Sequence, residues 1–179
     1  LDLNDANKVA EIVKSGKLVV NFAGPFDLYA EPVVAACAEH GVHYLDITGE
    51  VHFAKRMIKK YDHVAKKSKA MIIPFAGFDS IPSDYAVYLS ALKMAGKNAK
   101  LKSVDVIYQM LGGFNGGTVA TAMDTATKMS ELDFKNKKYL TDETAEYQND
   151  INKTRYIKET NEWVSPFFME PINSKVVYR

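Results

Sequence analysis

The sequence predicts an α/β fold in which a parallel sheet is followed by a second region of different character. Three strand-like segments alternate with helix-like segments over the first 96 residues. The strand-like segments begin at Lys17, Val42 and Ala70. Such alternation is typical of a parallel sheet with crossover helices. It stops after Lys100, so we expect one domain over residues 1–96 and another over residues 97–179.

The chain opens with a predicted helix and a predicted strand. The segment "NDANKVAEIVKSG" predicts a short helix, which Asn4 or Asp5 caps and Gly16 ends. We expect its inner face to hold Val9, Ile12 and Val13. The run "KLVVNF" then predicts a buried strand, because it is rich in β-branched residues.

Further helices and strands complete the sheet region. "AEPVVAACAEHG" predicts a helix with Pro32 in its first turn and Gly41 at its end, and "VHYLDITGE" predicts the second strand. "VHFAKRMIKKYDHVAKKSK" predicts a longer helix, whose apolar face holds Phe53, Met57, Tyr61 and Val64. "AMIIPFAGFDSIPSD" predicts a third strand and a loop, and "DYAVYLSALKMAG" predicts a helix that ends at Gly96.

The region after Lys100 predicts mixed α+β structure. "LKSVDVIYQML" alternates as a strand does, and the last segment, "WVSPFFMEPINSKVVYR", is aromatic and predicts a final strand. The polar segment between them, from Asn136 onward, is expected to be irregular. The loop "GGFNGG" at 112–117 precedes a helix-like segment. It could cradle a phosphate at the helix amino terminus, or be only a flexible cap.

Composition limits the function classes. Of the 179 residues, 47% are hydrophobic and 25% are charged, and the net charge is +1. These values are typical of a globular protein, and without a basic excess we expect no nucleic-acid partner. The single cysteine, Cys37, predicts a core residue in a reducing compartment, and the four histidines lack metal-ligand spacing. Because no apolar run approaches the roughly 20 residues of a membrane span, we expect a cytoplasmic protein.

Small and polar residues follow each predicted strand. The carboxyl ends of parallel strands share one edge of the sheet, where ligands bind in open α/β folds. In "NFAGPF", Gly24 and Pro25 allow a tight turn, and Asn21 offers a donor and an acceptor. In "DITGE", Asp46 and Glu50 could bind a substrate amine or act as acid and base. Alternatively, Asp46 accepts loop N–H groups and Glu50 caps the next helix.

The third loop, "GFDSIPSD" at 77–84, is the densest polar cluster in the sequence. We predict a functional role for it, because it lies on the same sheet edge as the other two loops. The alternative is a capped turn that Asp79 stabilises. A Ser-His-Asp triad is not predicted, because Ser80 lacks a nucleophile-elbow sequence.

The order of these loops carries a family resemblance. "NFAGPFDLYAEPVVAACAEHGVHYLDITGE", then "GFDSIPSD", then "GGT" opening a helix, resembles the saccharopine dehydrogenase-like oxidoreductases. This branch includes mycobacterial trans-acting enoyl reductases and the animal saccharopine dehydrogenase-like protein. The resemblance extends over nearly the whole chain.

The resemblance implies the carboxyl-terminal portion of a Rossmann-type NAD(P)-binding domain, followed by part of a domain for substrate binding and dimerisation. We therefore expect NAD or NADP as cofactor and a homodimer. The loop at 21–26 would run beside the dinucleotide near the nicotinamide, Asp2 would approach the adenine, and the loop at 77–84 would border the nicotinamide pocket. The cofactor-binding residues so implied are Asp2, Asn21, Ala23, Gly24, Pro25, Phe26, Gly77 and Phe78.

Part of the family pattern does not occur in this sequence. The glycine fingerprint that binds pyrophosphate is absent from it, as is the residue that separates NAD from NADP. We therefore expect the sequence to be the interior of a longer protein, and the isolated chain to be inactive.

Two functions from different classes follow. The first is hydride transfer between NAD(P) and a small-molecule substrate, with lipid-linked molecules as one candidate class. Asp46 and Asp79 would be polar groups facing the pocket and Tyr29 a proton donor, because all three lie near strand ends. The second is a non-catalytic scaffold that dimerises and binds a nucleotide or lipid. The aromatic segment "WVSPFFMEPI" would suit such a surface.

Overall fold

The computed structural model describes residues 2, 3, 5–109, 111, 112, 116, 138–141 and 153–178. In chain order, the elements are α1 (Ala6–Lys14), β1 (Leu18–Asn21), α2 (Phe26–Tyr29), α3 (Glu31–His40), β2 (His43–Asp46), α4 (Val51–Ser68), β3 (Ile72–Ile73), α5 (Ile81–Ala95), β4 (Arg155–Ile157), β5 (Glu162–Val164) and α6 (Glu170–Val177). The described residues up to Phe78, with Gly116, form one compact unit. Those from Asp79 to Gly112 and from 138 onward form a second.

The first unit is built on a parallel sheet of three strands in the order β1-β2-β3. Leu18 pairs with His43 and Asn21 with Asp46, so the first two strands end at the same level. Tyr44 in turn pairs with Ile72 of the short third strand. The predicted α/β class with a parallel sheet is confirmed. The domain boundary at residue 96 stays a prediction.

The core lies between one face of the sheet and the helices α1, α3 and α4. It contains Val9 and Val13 of α1, Val33, Val34 and Cys37 of α3, Tyr44 of β2, and Phe53 and Met57 of α4. The predicted position of Ile12 on the inner face is wrong, because its side chain is 54% exposed. Val9 and Val13 are four residues apart and stack on one face, whereas Ile12 lies to the side of that stripe.

Two predicted helix ends, the start of α1 and the end of α3, are confirmed by their capping residues. Asp5 is the N-cap of α1 and its carboxylate accepts the N–H of Lys8 at 3.2 Å. Gly41 ends α3 in the left-handed conformation, with φ 72°, which glycine adopts without steric cost. The four-residue helix α2 was not predicted, since a single turn has no apolar periodicity to detect.

Strand β1 is buried on only one face. Val19 and Asn21 point toward the helices, whereas Leu18 and Val20 are 49% and 46% exposed. The prediction of a wholly buried strand is therefore wrong for alternate residues. Side chains alternate along a strand, and the described helices of this unit pack against one face of the sheet.

The second unit contains α5, α6 and an antiparallel pair, β4 and β5. Three predictions are wrong here. Residues 101–109 form no strand, although Asp105 and Gln109 contact Arg155 and Glu162 of the hairpin through side chains. The polar segment predicted to be irregular contains β4. The predicted last strand is helix α6, which starts with Pro171 in its first turn.

The glycine-rich loop falls largely outside the described residues, so its phosphate-binding alternative stays a prediction. Within the described part of the chain, no helix has the length and apolar character needed to cross a membrane.

Candidate ligand site at the carboxyl edge of the sheet

Three loops of the first unit follow β1, β2 and β3 at the carboxyl edge of the sheet. Asn21 and Asp46 are the last residues of the first two strands and are register partners. The loop after β1 exposes Phe22, Ala23 and Gly24, and the peptide bond between Gly24 and Pro25 is cis. The predicted loops of this unit therefore meet at one edge, which is where open α/β sheets bind ligands.

Asp46 joins the loops after β2 and β3. Its side chain is fully buried, and Oδ1 accepts the N–H of Thr48 at 3.0 Å and of Phe75 at 3.1 Å. Oδ2 accepts the hydroxyl of Tyr44 at 2.9 Å. These contacts favour the structural alternative for Asp46, as an acceptor for loop N–H groups. Its catalytic role stays a prediction.

Asn21 extends this arrangement to the loop after β1. Its Oδ1 accepts the N–H of Ala23 at 2.9 Å, and its Nδ2 donates to the hydroxyl of Tyr44 at 3.2 Å. A buried chain of hydrogen bonds therefore runs from Ala23 through Asn21, Tyr44 and Asp46 to Phe75. Tyr44 is the member that our sequence reasoning missed. Its place on the inward face of β2, two residues before Asp46, was the available indication.

Burial shifts the pKa values of Asp46 and Tyr44, the two titratable groups in this series of hydrogen bonds. Burial raises the pKa of the Asp46 carboxyl above its ordinary value, although the hydrogen bonds from Thr48, Tyr44 and Phe75 oppose the shift. Burial, followed by the nearby charge of Asp46, raises the pKa of Tyr44 far above the ordinary range. Tyr44 is therefore a protonated hydroxyl, and hence a donor, at neutral pH.

The raised pKa of Asp46 predicts a pH-dependent cost of replacing it. The folded state holds the Asp46 proton more tightly than the unfolded state, in which the pKa is about 3.8. The stability that this group contributes is therefore complete below about pH 3.8 and is lost as the pH rises through the higher pKa of the folded state. We expect the loss of unfolding free energy in Asp46→Asn, which cannot titrate, to be largest in acid and to shrink through this window. Urea unfolding of both proteins against pH measures it, and a constant difference would contradict the assignment.

The loop after β3 has a constrained backbone. Phe75 is buried with φ 62°, in the left-handed region of backbone conformation. Bulky residues rarely adopt this conformation, because it costs about 1–3 kcal/mol. Its N–H and that of Ala76 are both held by Asp46, through the carboxylate and the backbone oxygen respectively. Two residues later, a Cβ on Gly77 would lie 3.0 Å from the Cβ of Ile47. The loops after β2 and β3 are therefore in close contact.

This close approach predicts that Gly77→Ala is destabilising. The added methyl group meets the Cβ and Cγ2 of Ile47 at 3.0 and 3.1 Å, so one loop must shift, at about 1–2 kcal/mol of unfolding free energy. Gly16→Ala is the matched control, because its nearest neighbour would be 3.7 Å away. Denaturant unfolding compares the two, and equal stabilities would show that the loops yield freely.

Glu50 fixes the start of α2. It is fully buried, with Oε1 accepting the N–H of Phe26 at 2.9 Å and Oε2 accepting that of Asp27 at 2.7 Å. We predicted, as one alternative, that Glu50 caps the next helix. It stands at the N-cap of α4, but its side chain makes no capping bond there and caps α2 instead. A carboxylate at a helix amino terminus is favoured by the helix dipole.

A charged cluster lies beside this cap. Asp27, Glu50 and His52 bring potential metal-ligand atoms within 4.8 Å of one another. However, Arg56 Nη1 forms an ion pair with Asp27, and both oxygens of Glu50 already accept backbone N–H groups. The positive charge beside Asp27 is thus a guanidinium, and the arrangement fits a buried ion-pair cluster.

The remaining predicted residues are spread over both units. Asp2 is exposed, and Tyr29 on α2 and Phe78 are 42% and 71% exposed. Asp79 has an exposed side chain and begins the second unit. Its backbone oxygen accepts the Nδ2 of Asn173 at 2.8 Å.

Two serines of the third loop also serve the second unit. Asn173 Oδ1 accepts from Ser80 Oγ at 3.0 Å, and Asn173 Nδ2 donates to Ser83 Oγ at 3.1 Å. These buried bonds attach the start of α5 to α6, so Ser80 and Ser83 have a packing role.

Comparison with known proteins identifies the family. Residues 1–73 match the family described as the saccharopine dehydrogenase NADP binding domain. A trans-acting enoyl reductase of Mycobacterium tuberculosis is 33% identical over 179 aligned positions, which cover 91% of this chain and 43% of the relative. The chain belongs to the saccharopine dehydrogenase-like oxidoreductases. The predicted resemblance and the nicotinamide dinucleotide as the cofactor class are thereby confirmed.

Other relatives match shorter parts of the chain. The mouse saccharopine dehydrogenase-like oxidoreductase is 39% identical over 102 residues, covering 57% of this chain and 24% of the relative. A lipid droplet localized protein of Caenorhabditis elegans is 34% identical over 125 residues, covering 67% and 29%. The chain spans less than half the length of these relatives. No solved structure matches it.

Proposed function

We propose that this chain is part of an NAD(P)-dependent oxidoreductase that transfers hydride between the nicotinamide and an unidentified substrate. The observation that carries the proposal is the network of hydrogen bonds at the carboxyl edge of the sheet, whose residues Ala23, Asn21, Tyr44 and Asp46 lie within the segment 1–73 that matches an NADP-binding domain. These hydrogen bonds hold the loops after three parallel strands at the edge where dinucleotides bind in such sheets. Lipid-linked molecules are one candidate class of substrate.

The edge fits a dinucleotide in its backbone geometry. Residues 22–24 are exposed beside the buried Asn21, so this part of the loop is accessible to a bound ligand. We propose contacts from Asn21, Ala23, Gly24, Pro25 and Phe26 on one side, and from Gly77 and Phe78 on the other, with Asp2 toward the adenine. The bound cofactor supplies the hydride chemistry, and the protein positions it and excludes water.

Asp79 and Tyr29 each have an exposed side chain, so we propose Asp79 as a polar group that contacts the substrate and Tyr29 as a proton donor. Asp46 was predicted to share this role. Its three hydrogen bonds and full burial support a positioning role more strongly.

Substrate and location rest on the relatives. The name of the M. tuberculosis relative, trans-acting enoyl reductase, supports an enoyl compound as the first class to test. We propose a homodimer in the cytoplasm, although the name of the C. elegans relative places that protein on lipid droplets.

The second candidate is a non-catalytic scaffold that binds a nucleotide or lipid. Trp163 and Phe168 in the second unit are 72% and 53% exposed, which supports an apolar partner surface there. Substrate-dependent oxidation of NADPH or NADH by the full-length protein distinguishes the two functions. We expect turnover with at least one enoyl substrate and its loss in Asp79→Ala. Unchanged turnover in that variant would remove Asp79 from the site.

A further inference from the structure

Tyr44 occupies the centre of the edge on the middle strand. Its side chain is fully buried, and its hydroxyl both accepts from Asn21 Nδ2 at 3.2 Å and donates to Asp46 Oδ2 at 2.9 Å. A hydroxyl that accepts and donates in this way fixes the orientation of both neighbouring side chains.

Both neighbours use their other oxygen to hold loop N–H groups. Asn21 Oδ1 holds Ala23, and Asp46 Oδ1 holds Thr48 and Phe75. The single hydroxyl of Tyr44 therefore connects the loops after all three strands. Removing it would leave each loop with its own local bonds but would break the side-chain link between Asn21 and Asp46, so that the loop after β1 would be held to the others mainly by the bonds of Glu50 to Phe26 and Asp27.

We propose that Tyr44 is a positioning residue for the cofactor. Its hydroxyl holds the three loops in the relative arrangement that a dinucleotide bridges, so the protein does not have to order them when the ligand binds. This inference rests on the proposed function, since it assigns Tyr44 a role in the same site. Tyr44 itself does not touch the ligand.

The competing explanation is that Tyr44 is a core residue whose ring alone matters. Tyr44→Phe separates the two, because it keeps the ring and removes only the hydroxyl. Tyr61→Phe is the matched control. The hydroxyl of Tyr61 on α4 donates to Glu31 at 3.1 Å and has no bond to the strand-end loops.

The test is fluorescence titration of NADPH and NADH with the full-length protein and both variants. We expect Tyr44→Phe to weaken binding about tenfold, the worth of one buried hydrogen bond, and Tyr61→Phe to stay within about twofold. In the ligand-free protein, the amide NMR signals of Ala23 and Phe75 should shift in Tyr44→Phe and not in Tyr61→Phe. The affinity decides between the explanations: if only the ring matters, Tyr44→Phe binds nucleotide as tightly as the wild type, because loss of the hydroxyl shifts these nearby amide signals in either case.

Asp46→Asn tests the same link from the other side, should Tyr44→Phe fail to fold. It can keep an oxygen for Thr48 and Phe75 but places an NH2 group where Tyr44 needs an acceptor. If the wild type binds nucleotide and a folded Tyr44→Phe or Asp46→Asn protein binds it equally well, the role of Tyr44 is overturned and the proposed function stands. If the wild type binds neither nucleotide, the proposed function itself is overturned.

Discussion

Replacing Glu50 by alanine is expected to lower the unfolding free energy by about 3 kcal/mol. Each of its oxygens accepts one backbone N–H at the start of α2, and a hydrogen bond to a charged group contributes roughly 1.5–3 kcal/mol. The variant leaves the N–H groups of Phe26 and Asp27 without this acceptor in a buried setting. A small domain is stable by only about 5–15 kcal/mol, so the loss is readily measured by urea unfolding.

Two further variants make the Glu50 prediction specific. Glu50→Gln keeps the shape and one acceptor oxygen, so it should fall between the wild type and Glu50→Ala. Glu39→Gln, at an exposed position of α3, should remain within about 0.5 kcal/mol of the wild type. If Glu50→Ala were as stable as Glu39→Gln, the carboxylate would not be holding α2.

Cys37 is expected to react with iodoacetamide at least about 1000-fold more slowly in the folded protein than in the unfolded chain. Its thiol is fully buried in α3, and burial raises its pKa from 9.0 to about 12. Three units of pKa reduce the reactive thiolate about 1000-fold, before the loss of access is counted. The measurement is the rate of alkylation with and without denaturant, followed by mass spectrometry.

The control places a thiol on the surface of the same helix. Glu39→Cys in a Cys37→Ala background should react at nearly the same rate with and without denaturant, because position 39 is exposed. Rapid alkylation of native Cys37 would mean that α3 opens readily and that the thiol is not kept in the core.

The fold of the first unit was largely predictable, because its determinants are local. The sequence placed Cys37, Phe53 and Met57 in the core, and Gly41 marked the end of α3. The second unit was less predictable. The β-branched pair at 176 and 177 favoured a strand, but Pro171 and the packing of α6 against α5 override that preference.

The location of the candidate site could be predicted from the sequence, but its hydrogen bonds could not. Parallel strands fix where loops meet, so Asn21 and Asp46 could be assigned to one edge from the sequence. The roles of Tyr44 and Glu50 depend on contacts between residues 23 to 24 positions apart. Such hydrogen bonds leave no periodicity in the sequence, and only the folded geometry shows which partner each side chain meets.

Nucleotide binding is measured by titrating NADPH and NADH into the full-length protein and into residues 1–179 alone, with nucleotide fluorescence as the signal. We expect saturable binding of at least one nucleotide to the full-length protein. We expect much weaker binding to residues 1–179, whose sequence has no glycine fingerprint for pyrophosphate. Full-length protein that binds neither nucleotide would contradict the oxidoreductase proposal.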